Sequence, residues 1–346
     1  MEKARERIDI VYLWVNGADQ AWRRKRERAW AKWARQHPDA LEMYGNVEGR
    51  YRDNDELRFS LRALERFFPR HGKVWIVTDG QRPAWLRDMP GVEIVDHREL
   101  IPSAFLPVFN SGHIESWIHR LPGLSERFFY MNDDVFFGAP VVPEQWFGEK
   151  VTLFVDAENP ALYDDLQPQE TSMVNAATLS RHWMASRYAD YRHDPRLFAH
   201  APRPLLKSVL HQFEALAPDM FAQVRSSPFR NWRKPPIICD LVLRWMVHVG
   251  YARRAVTPDM LYIATGDRNA ALQFARLRAR FDLLRYFCIN DTCDDAQPDD
   301  VRLQRIARIL PELLPEPSRF ELLDAGVGQA RDRSEQRAME IEQLSL

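Results

Sequence analysis

The sequence predicts an α/β fold on a mainly parallel sheet, with a helical insertion and a helical C-terminus. Short apolar runs alternate with amphipathic segments through the first half. The runs are nearly continuous rather than alternating, as strands buried on both faces require. After about Val155 the composition turns richer in proline, histidine and helical patterning. Strands alternating with helices are the pattern of a parallel sheet covered on its faces.

Taken in order, Ile8 to Val15 reads as the first strand, ending at Asn16-Gly17. Leu57, Leu61, Leu64 and Phe68 recur at helical spacing, and Pro69 stops that helix. Val74 to Val77 and Val92 to Val95 are the second and third strands, the second closed by Asp79-Gly80. Ile114, Trp117, Ile118 and Leu121 mark a helix over Ser111 to Leu121, ended by Pro122-Gly123. Arg127 to Met131 is the fourth strand. Pro204 to Ala217 reads as the clearest helix of the later segment, and Ile237 to Val249 as a buried one. The expected organisation is a core of residues 8–155 and 236–293, a helical insertion over 156–235, and a C-terminal helical segment over 294–346 whose last dozen residues fray.

The 346 residues are 45% hydrophobic, ample for a packed core. A formal net charge of -1 argues against a general nucleic-acid binder, so any anionic ligand has to be met by local positive charge. Cys239, Cys288 and Cys293 are too few for a disulfide framework and form no Cys-x-x-Cys pair, so they read as reduced thiols. Met1 to Arg7 is charged and leads straight into a strand, without a signal peptide. No stretch approaches about 18 uncharged apolar residues, the length that spans a bilayer. The expectation is a cytoplasmic protein, peripheral at the inner membrane where its acceptor requires it.

Asn132-Asp133-Asp134 follows the fourth strand directly. Ligands of open α/β sheets sit outside the carboxyl ends of the strands, and paired carboxylates there suit a hard cation. A turn cluster explains the same residues without a metal. Glu115 and His119, at i and i+4, form either a metal or acid–base pair or a solvated link. In Arg50-Tyr51-Arg52-Asp53-Asn54-Asp55-Glu56 the acids serve as a helix N-cap, and Arg50, Arg52 and Arg58 rim a helix start able to hold phosphate. The segment Trp22 to Arg35 carries seven basic residues, with Trp22 and Trp33 packing inward. It is a solvated face or a dock for a polyanionic acceptor or membrane phosphates. His200, in His200-Ala201-Pro202-Arg203-Pro204, can act as a base near neutral pH, and Arg230 can fork phosphate.

These segments together resemble the stealth family. Ile8-Asp9-Ile10-Val11-Tyr12-Leu13-Trp14-Val15-Asn16-Gly17 is similar to its first conserved block. The second runs through Arg52 to Arg58, Ile76 to Gln81, Leu106 to Ser111, Ile114-Glu115, His119-Arg120 and Asn132 to Gly138. His200 to Pro204 with Arg230 resembles the third, and Phe287 to Thr292 the fourth. The family includes bacterial capsular-polysaccharide phosphotransferases and the catalytic part of the animal enzyme that begins the mannose-6-phosphate tag. The resemblance implies a sheet of the GT-A-like nucleotide-sugar-transferase type. It implies transfer of N-acetylglucosamine-1-phosphate, or a related hexose-1-phosphate, from a UDP-sugar donor to a glycan acceptor with Mg2+ or Mn2+. Glu115, Asp134, His200 and Arg230 match catalytic positions. Asp133, Asp134 and Asn132 are the expected metal ligands, and Asp9, Asn16, Gly17, Arg52, Asn54 and Arg58 are expected to line the donor site. Ala201 and Arg203 depart from residues common in bacterial members, which bears on acceptor contacts. The recognition modules of the animal enzyme are missing, so a lysosomal-protein acceptor is not expected. A conventional metal-dependent glycosyltransferase releasing UDP and a non-catalytic glycan- or polyanion-binding protein are the rival readings, and a homodimer is left open.

Overall fold

In the computed structural model, which describes residues 7–322, the strands are β1 (Ile8–Leu13), β2 (Val74–Thr78), β3 (Val92–Asp96), β4 (Arg127–Asn132), β5 (Val135–Phe137), β6 (Val151–Phe154), β7 (Arg203–Leu206), β8 (Ala252–Ala255), β9 (Met260–Ala264) and β10 (Tyr286–Asn290). The helices are α1 (Gln20–Gln36), α2 (Glu56–Phe67), α3 (His97–Leu100), α4 (Ser111–Glu115), α5 (Pro143–Trp146), α6 (Ser172–Arg187), α7 (Lys207–Leu216), α8 (Pro218–Arg225), α9 (Leu241–His248), α10 (Ala270–Arg280) and α11 (Val301–Leu313).

The main sheet runs β3-β2-β1-β4-β7. Its first four strands are parallel, and β7 closes the edge antiparallel to β4. The mainly parallel α/β architecture read from the sequence is therefore the one observed. Leu13 lies beside both Val77 and Asn132, so the loops after β1, β2 and β4 leave the sheet at one edge. Beyond Asn132 the chain turns through Asp133-Asp134 into β5, which pairs with β10 in a second sheet of order β5-β10-β9. Helix α2 packs beneath this junction with Leu57, Leu61 and Leu64 fully buried. Ser60 pins it there, donating to the Val135 carbonyl at 2.7 Å and bonding the Tyr12 hydroxyl at 2.9 Å.

Three sequence expectations are corrected. The helix expected over Ser111 to Leu121 stops at Glu115 and resumes only as a 3-10 turn, Ile118–Arg120. Glu115 and His119 therefore do not share a face, and the His119 Nε2 lies 2.7 Å from Glu214 instead. Pro204 to Leu206 is strand rather than helix. Proline is tolerated there because β7 is an edge, where a missing N–H need leave no ladder bond unmade. It follows that the segment 156–235 is not purely helical, since it supplies the strand that completes the sheet. Of residues 294–346, the structure shows α11 and the turn that carries Glu321 onto α2. The fraying expected of the last dozen lies outside the described residues.

Charges inside the fold are paired. Arg244 and Asp240, both fully buried, form a bidentate pair at 2.7 and 3.1 Å, and Arg244 also donates to the carbonyls of Asp194 and Arg196. This pair answers the charges that interrupt the apolar run Ile237 to Val249. Removing one member strands the other: Asp240→Asn is expected to lower unfolding stability by about 3–5 kcal/mol, and the Asp240→Leu, Arg244→Met double variant by less, measured by urea denaturation.

Candidate functional site

The acidic turn after β4 is the centre of the site. Asp133 and Asp134 are half-buried, and Asp53 and Glu56 from the start of α2 face them. Burial, with Asp134, Glu56 and Asp53 adding repulsion, drives the Asp133 carboxyl well above the ordinary range. Burial likewise raises Asp134 to about 6, against the pull of the Cys288 thiol, Arg50 and Arg230. Asp53 rises to about 6 through burial and Asp55, and Glu56 to about 8 through burial. Asp134 Oδ2 accepts from the Cys288 thiol at 3.5 Å, whereas its Oδ1 is buried without a partner. The neighbouring Glu115 is buried as well. The Tyr130 hydroxyl sits 2.9 Å from Glu115 Oε1 and 2.9 Å from Asn132 Oδ1, and Glu115 Oε2 has no partner.

The start of α2 is shaped for this cluster. Asp55 adopts a left-handed conformation, φ 64°, and its side chain does not cap the helix. Non-glycine residues at positive φ are uncommon and are held in place by their surroundings. Here Asn54 does the holding, its backbone N–H and Nδ2 donating to the Glu56 carboxylate at 2.6 and 2.7 Å.

Facing the acids is a wall of guanidinium groups. Because β7 runs antiparallel to β4, its first residue, Arg203, pairs with Tyr130 at the carboxyl end of the sheet. His200, three residues earlier, lies just beyond that edge, its ring 4.9 Å from that of Tyr262 in β9. Burial, then the charges of Arg203, Arg230 and Arg50, lowers His200 to about 4, so its imidazole is neutral at pH 7. Arg50 and Arg203 are half-buried and have no ion pair among the described residues. Burial, and then Arg230, depresses Arg50 to about 10. Arg230 is held by Glu42 at 3.3 Å, Ser172 at 3.1 Å and Ser111 at 2.7 Å. Burial opposes its charge, but Glu42 and Glu115 keep its pKa above the usual value.

Arg230 is carried into place by packing that begins in α1. Trp22 and Trp33 point inward, as read from the sequence, and join a cluster with Tyr51, Phe109 and Phe229. Phe229 stacks on Phe109 at 5.2 Å, and the Asn110 amide binds the carbonyls of Ser227 and Phe229.

The structure thus brings together Glu115, Asn132, Asp133, Asp134, His200 and Arg230. Other expected donor contacts lie elsewhere. Asp9 is at the opposite end of β1, where its carboxylate accepts from the N–H groups of Lys73 and Ser125 and from the Trp75 indole. It does not reach the carboxyl edge, and its place in the donor pocket is withdrawn. Arg58 is bound to Glu321 at 2.6 Å. Arg52 pairs with the buried Asp291 of the Phe287 to Thr292 block, which makes that block a support for the segment before α2. Asn54 serves Glu56. The Asn16-Gly17 turn is at the right edge but anchors the loop: Asn16 exchanges hydrogen bonds with Gln81, and Gly17 N–H donates to the Tyr51 carbonyl at 2.6 Å. A Cβ on Gly17 would lie 2.4 Å from that oxygen, so only glycine allows this approach beside Arg50.

Several residues of the site are not assigned to it by the sequence. Asp53 and Glu56 read as helix-capping acids, Tyr130 as an apolar strand position two residues before the acidic turn, Tyr262 sits in a strand outside any motif, and Glu42 lies in a loop. Arg203 stood inside the third block but was read as a departure from the pattern.

Among implied cofactors, a divalent cation fits the acidic turn. The donors are carboxylate oxygens, one of them without a hydrogen bond, and their mutual repulsion is what a hard cation relieves. A different group, His119, His211 and Glu214, also brings three ligand atoms within 4.8 Å of one another. There, however, Arg120 and Arg225 already neutralise Glu214. No helix among the described residues is long and apolar enough to cross a membrane.

Residues 6–31 match the model of stealth protein conserved region 1, and residues 50–154 that of conserved region 2. His200 and Arg230 lie outside both ranges. Among curated proteins, the chain is 36% identical over 327 residues to an exopolysaccharide phosphotransferase of Streptomyces coelicolor, SCO6023, covering 92% of this chain and 53% of that protein. It is 31% identical over 326 residues to the exopolysaccharide phosphotransferase CpsY of Mycobacterium tuberculosis, covering 92% and 59%. The chain therefore spans about half the length of these relatives. Similar solved structures include the galactosyltransferase LgtC with donor and acceptor sugar analogs, at 10% identity and TM-score 0.41, covering 88% of this chain and 96% of that one. The bifunctional glycosyltransferase WbbM matches at 11% identity and TM-score 0.44, covering 92% and 51%. The chain thus carries stealth conserved regions 1 and 2, in order, and is similar along nearly its whole length to proteins named exopolysaccharide phosphotransferases.

Proposed function

We propose that the chain transfers a hexose-1-phosphate, N-acetylglucosamine-1-phosphate being the expected group, from a UDP-sugar to a carbohydrate hydroxyl, forming a phosphodiester and releasing UMP. The observation that carries this reading is the meeting of an acidic turn bearing an unpartnered Asp134 oxygen with Arg50, which has no ion pair among the described residues, and Arg230, while Arg203 lies beside His200. A nucleotide diphosphate bridging a cation on one side and arginines on the other satisfies both halves. The relatives named exopolysaccharide phosphotransferases support the same class of reaction.

Asp133 and Asp134, with Asn132 beside them, would hold Mg2+ or Mn2+, which would supply positive charge to offset that of the diphosphate. Phosphoryl transfer needs alignment and charge stabilisation more than covalent help. Arg50, Arg203 and Arg230 receive the phosphate oxygens, and the Glu42, Ser111 and Ser172 contacts keep Arg230 from turning away. The acceptor oxygen attacks the β-phosphorus, the bond from that phosphorus to the bridging oxygen breaks, and UMP departs with the electron pair. The acceptor proton passes to His200, which is neutral and therefore able to take it. Anionic phosphate bound among the three arginines raises the basicity of His200 from its depressed value. Glu115, with its unpartnered Oε2, is the alternative base. A conventional glycosyltransferase would use the same cation but release UDP, so the nucleotide product separates the two.

Two outcomes follow. With Mn2+ at a hundredfold over its dissociation constant, the protein gains about 2.7 kcal/mol, seen as a raised melting temperature by differential scanning fluorimetry. Asp134→Asn abolishes that rise and His211→Ala keeps it; the reverse would move the cation to the His119 cluster. With UDP-N-acetylglucosamine and a sugar acceptor, chromatography finds UMP, and His200→Ala lowers kcat by about 10²- to 10⁴-fold. UDP as the sole nucleotide product would overturn phosphotransfer.

A further inference from the structure

A second depression lies apart from the acidic turn. It is an open groove of about 1040 Å3 between α1 and the segments 104–107 and 225–228, and neither Asp134, His200 nor Arg230 lines it. Arg24, Arg28 and Lys32 recur every fourth residue of α1 along its wall, and all three are exposed. At 1.5 Å per residue they form a stripe about 12 Å long. Like charges at this spacing repel and weaken a helix. No ion pair among the described residues relieves them, although Arg24 is felt by the N-cap Asp19. The adjacent Lys25, by contrast, is paired with Asp79 at 2.5 Å.

The opposite wall offers different chemistry. His113 is 1% exposed, and its Nδ1 lies 3.2 Å from the Ser227 carbonyl. A carbonyl only accepts, so Nδ1 carries the hydrogen and Nε2 is an acceptor, buried and without a partner. Phe105 stands beside it, 37% exposed, with its ring 5.9 Å from the imidazole. The groove therefore presents a line of cations without ion pairs among the described residues and, across from them, the half-exposed face of Phe105. A flat lipid surface would meet the cations but would not enter the groove to reach Phe105. A sugar chain with regularly spaced anions meets both.

We propose that this groove binds the acceptor, a glycan chain bearing phosphodiester groups, with its anions along Arg24, Arg28 and Lys32 and a sugar face against Phe105. The identity of the anion rests on the transfer reading above, because each sugar-phosphate transfer adds one phosphodiester to the product. A product of one cycle is then a better-held acceptor for the next, and longer acceptors are preferred.

The test measures binding first, with neither donor nor metal present. The probes are a synthetic phosphodiester-linked N-acetylhexosamine hexamer, uncharged chitohexaose, a single-stranded DNA dodecamer and phosphatidylglycerol vesicles, followed by calorimetry. The hexamer is expected to bind at least about tenfold more tightly than chitohexaose, and to lose about tenfold or more in the Arg24→Glu, Arg28→Glu, Lys32→Glu triple variant. In turnover, that variant keeps its kcat and donor KM with a monosaccharide acceptor, while its KM for the hexamer rises by a similar factor. Equal hexamer binding by the variant, equal binding of chitohexaose, or tighter binding of DNA or vesicles would each overturn the proposal. Stripe-dependent hexamer binding without any turnover would instead count against the transfer reading and leave the groove's assignment supported.

Discussion

Repulsion among Asp53, Glu56, Asp133 and Asp134 is the constraint around which the site is organised. Two like charges about 4 Å apart cost about 4 kcal/mol at an effective dielectric of 20, and a fold does not gather four carboxyls without a counterpart. The counterpart has two parts. Protons partly neutralise the cluster, as the raised values of all four groups show. The guanidinium groups of Arg50 and Arg230 supply the rest of the compensation from across the site. A site with this polarity, acid on one wall and base on the other, is suited to a cation–diphosphate pair rather than to either ion alone.

Topology makes that polarity, and no single segment contains it. The acids come from the β4–β5 turn and the start of α2, Arg203 from the antiparallel edge strand β7 and His200 from the segment leading into it, Arg230 from a loop clamped by Phe109 and Phe229. Arg50 stands beside Tyr51, to which the Gly17 turn is hydrogen-bonded. Aromatic packing under α1 is thus coupled to the placement of a site arginine: displacing Trp22 or Trp33 would move Phe229 and, with it, Arg230.

Much of this was legible beforehand. The continuous apolar runs of β1, β2 and β4 revealed a parallel sheet, and Asn132-Asp133-Asp134 after β4 located its working edge. Burial direction was legible too, in the inward tryptophans of α1. Registers and partners were not. Asp9 lies in the same strand as the Asn16-Gly17 turn's approach, yet it faces backbone donors at the other end. Arg52 and Arg58 have the composition of a phosphate site, but Asp291 and Glu321, more than 200 positions away, occupy them. The Glu115–His119 pairing failed because a helical period cannot reveal that the helix breaks after one turn. Arg203 looked like a deviation because its role depends on β7 being a strand.

The central claim is that the bond broken lies between the two phosphorus atoms of the donor and not at the sugar's anomeric carbon. The direct measurement uses a UDP-sugar labelled with oxygen-18 at the anomeric oxygen and follows the label by mass spectrometry. The account predicts that all of it stays with the product, in the phosphodiester joining donor sugar to acceptor, and that the released UMP carries none. Label appearing in released UDP would contradict the account and identify a glycosyl transferase working at the same edge of the sheet.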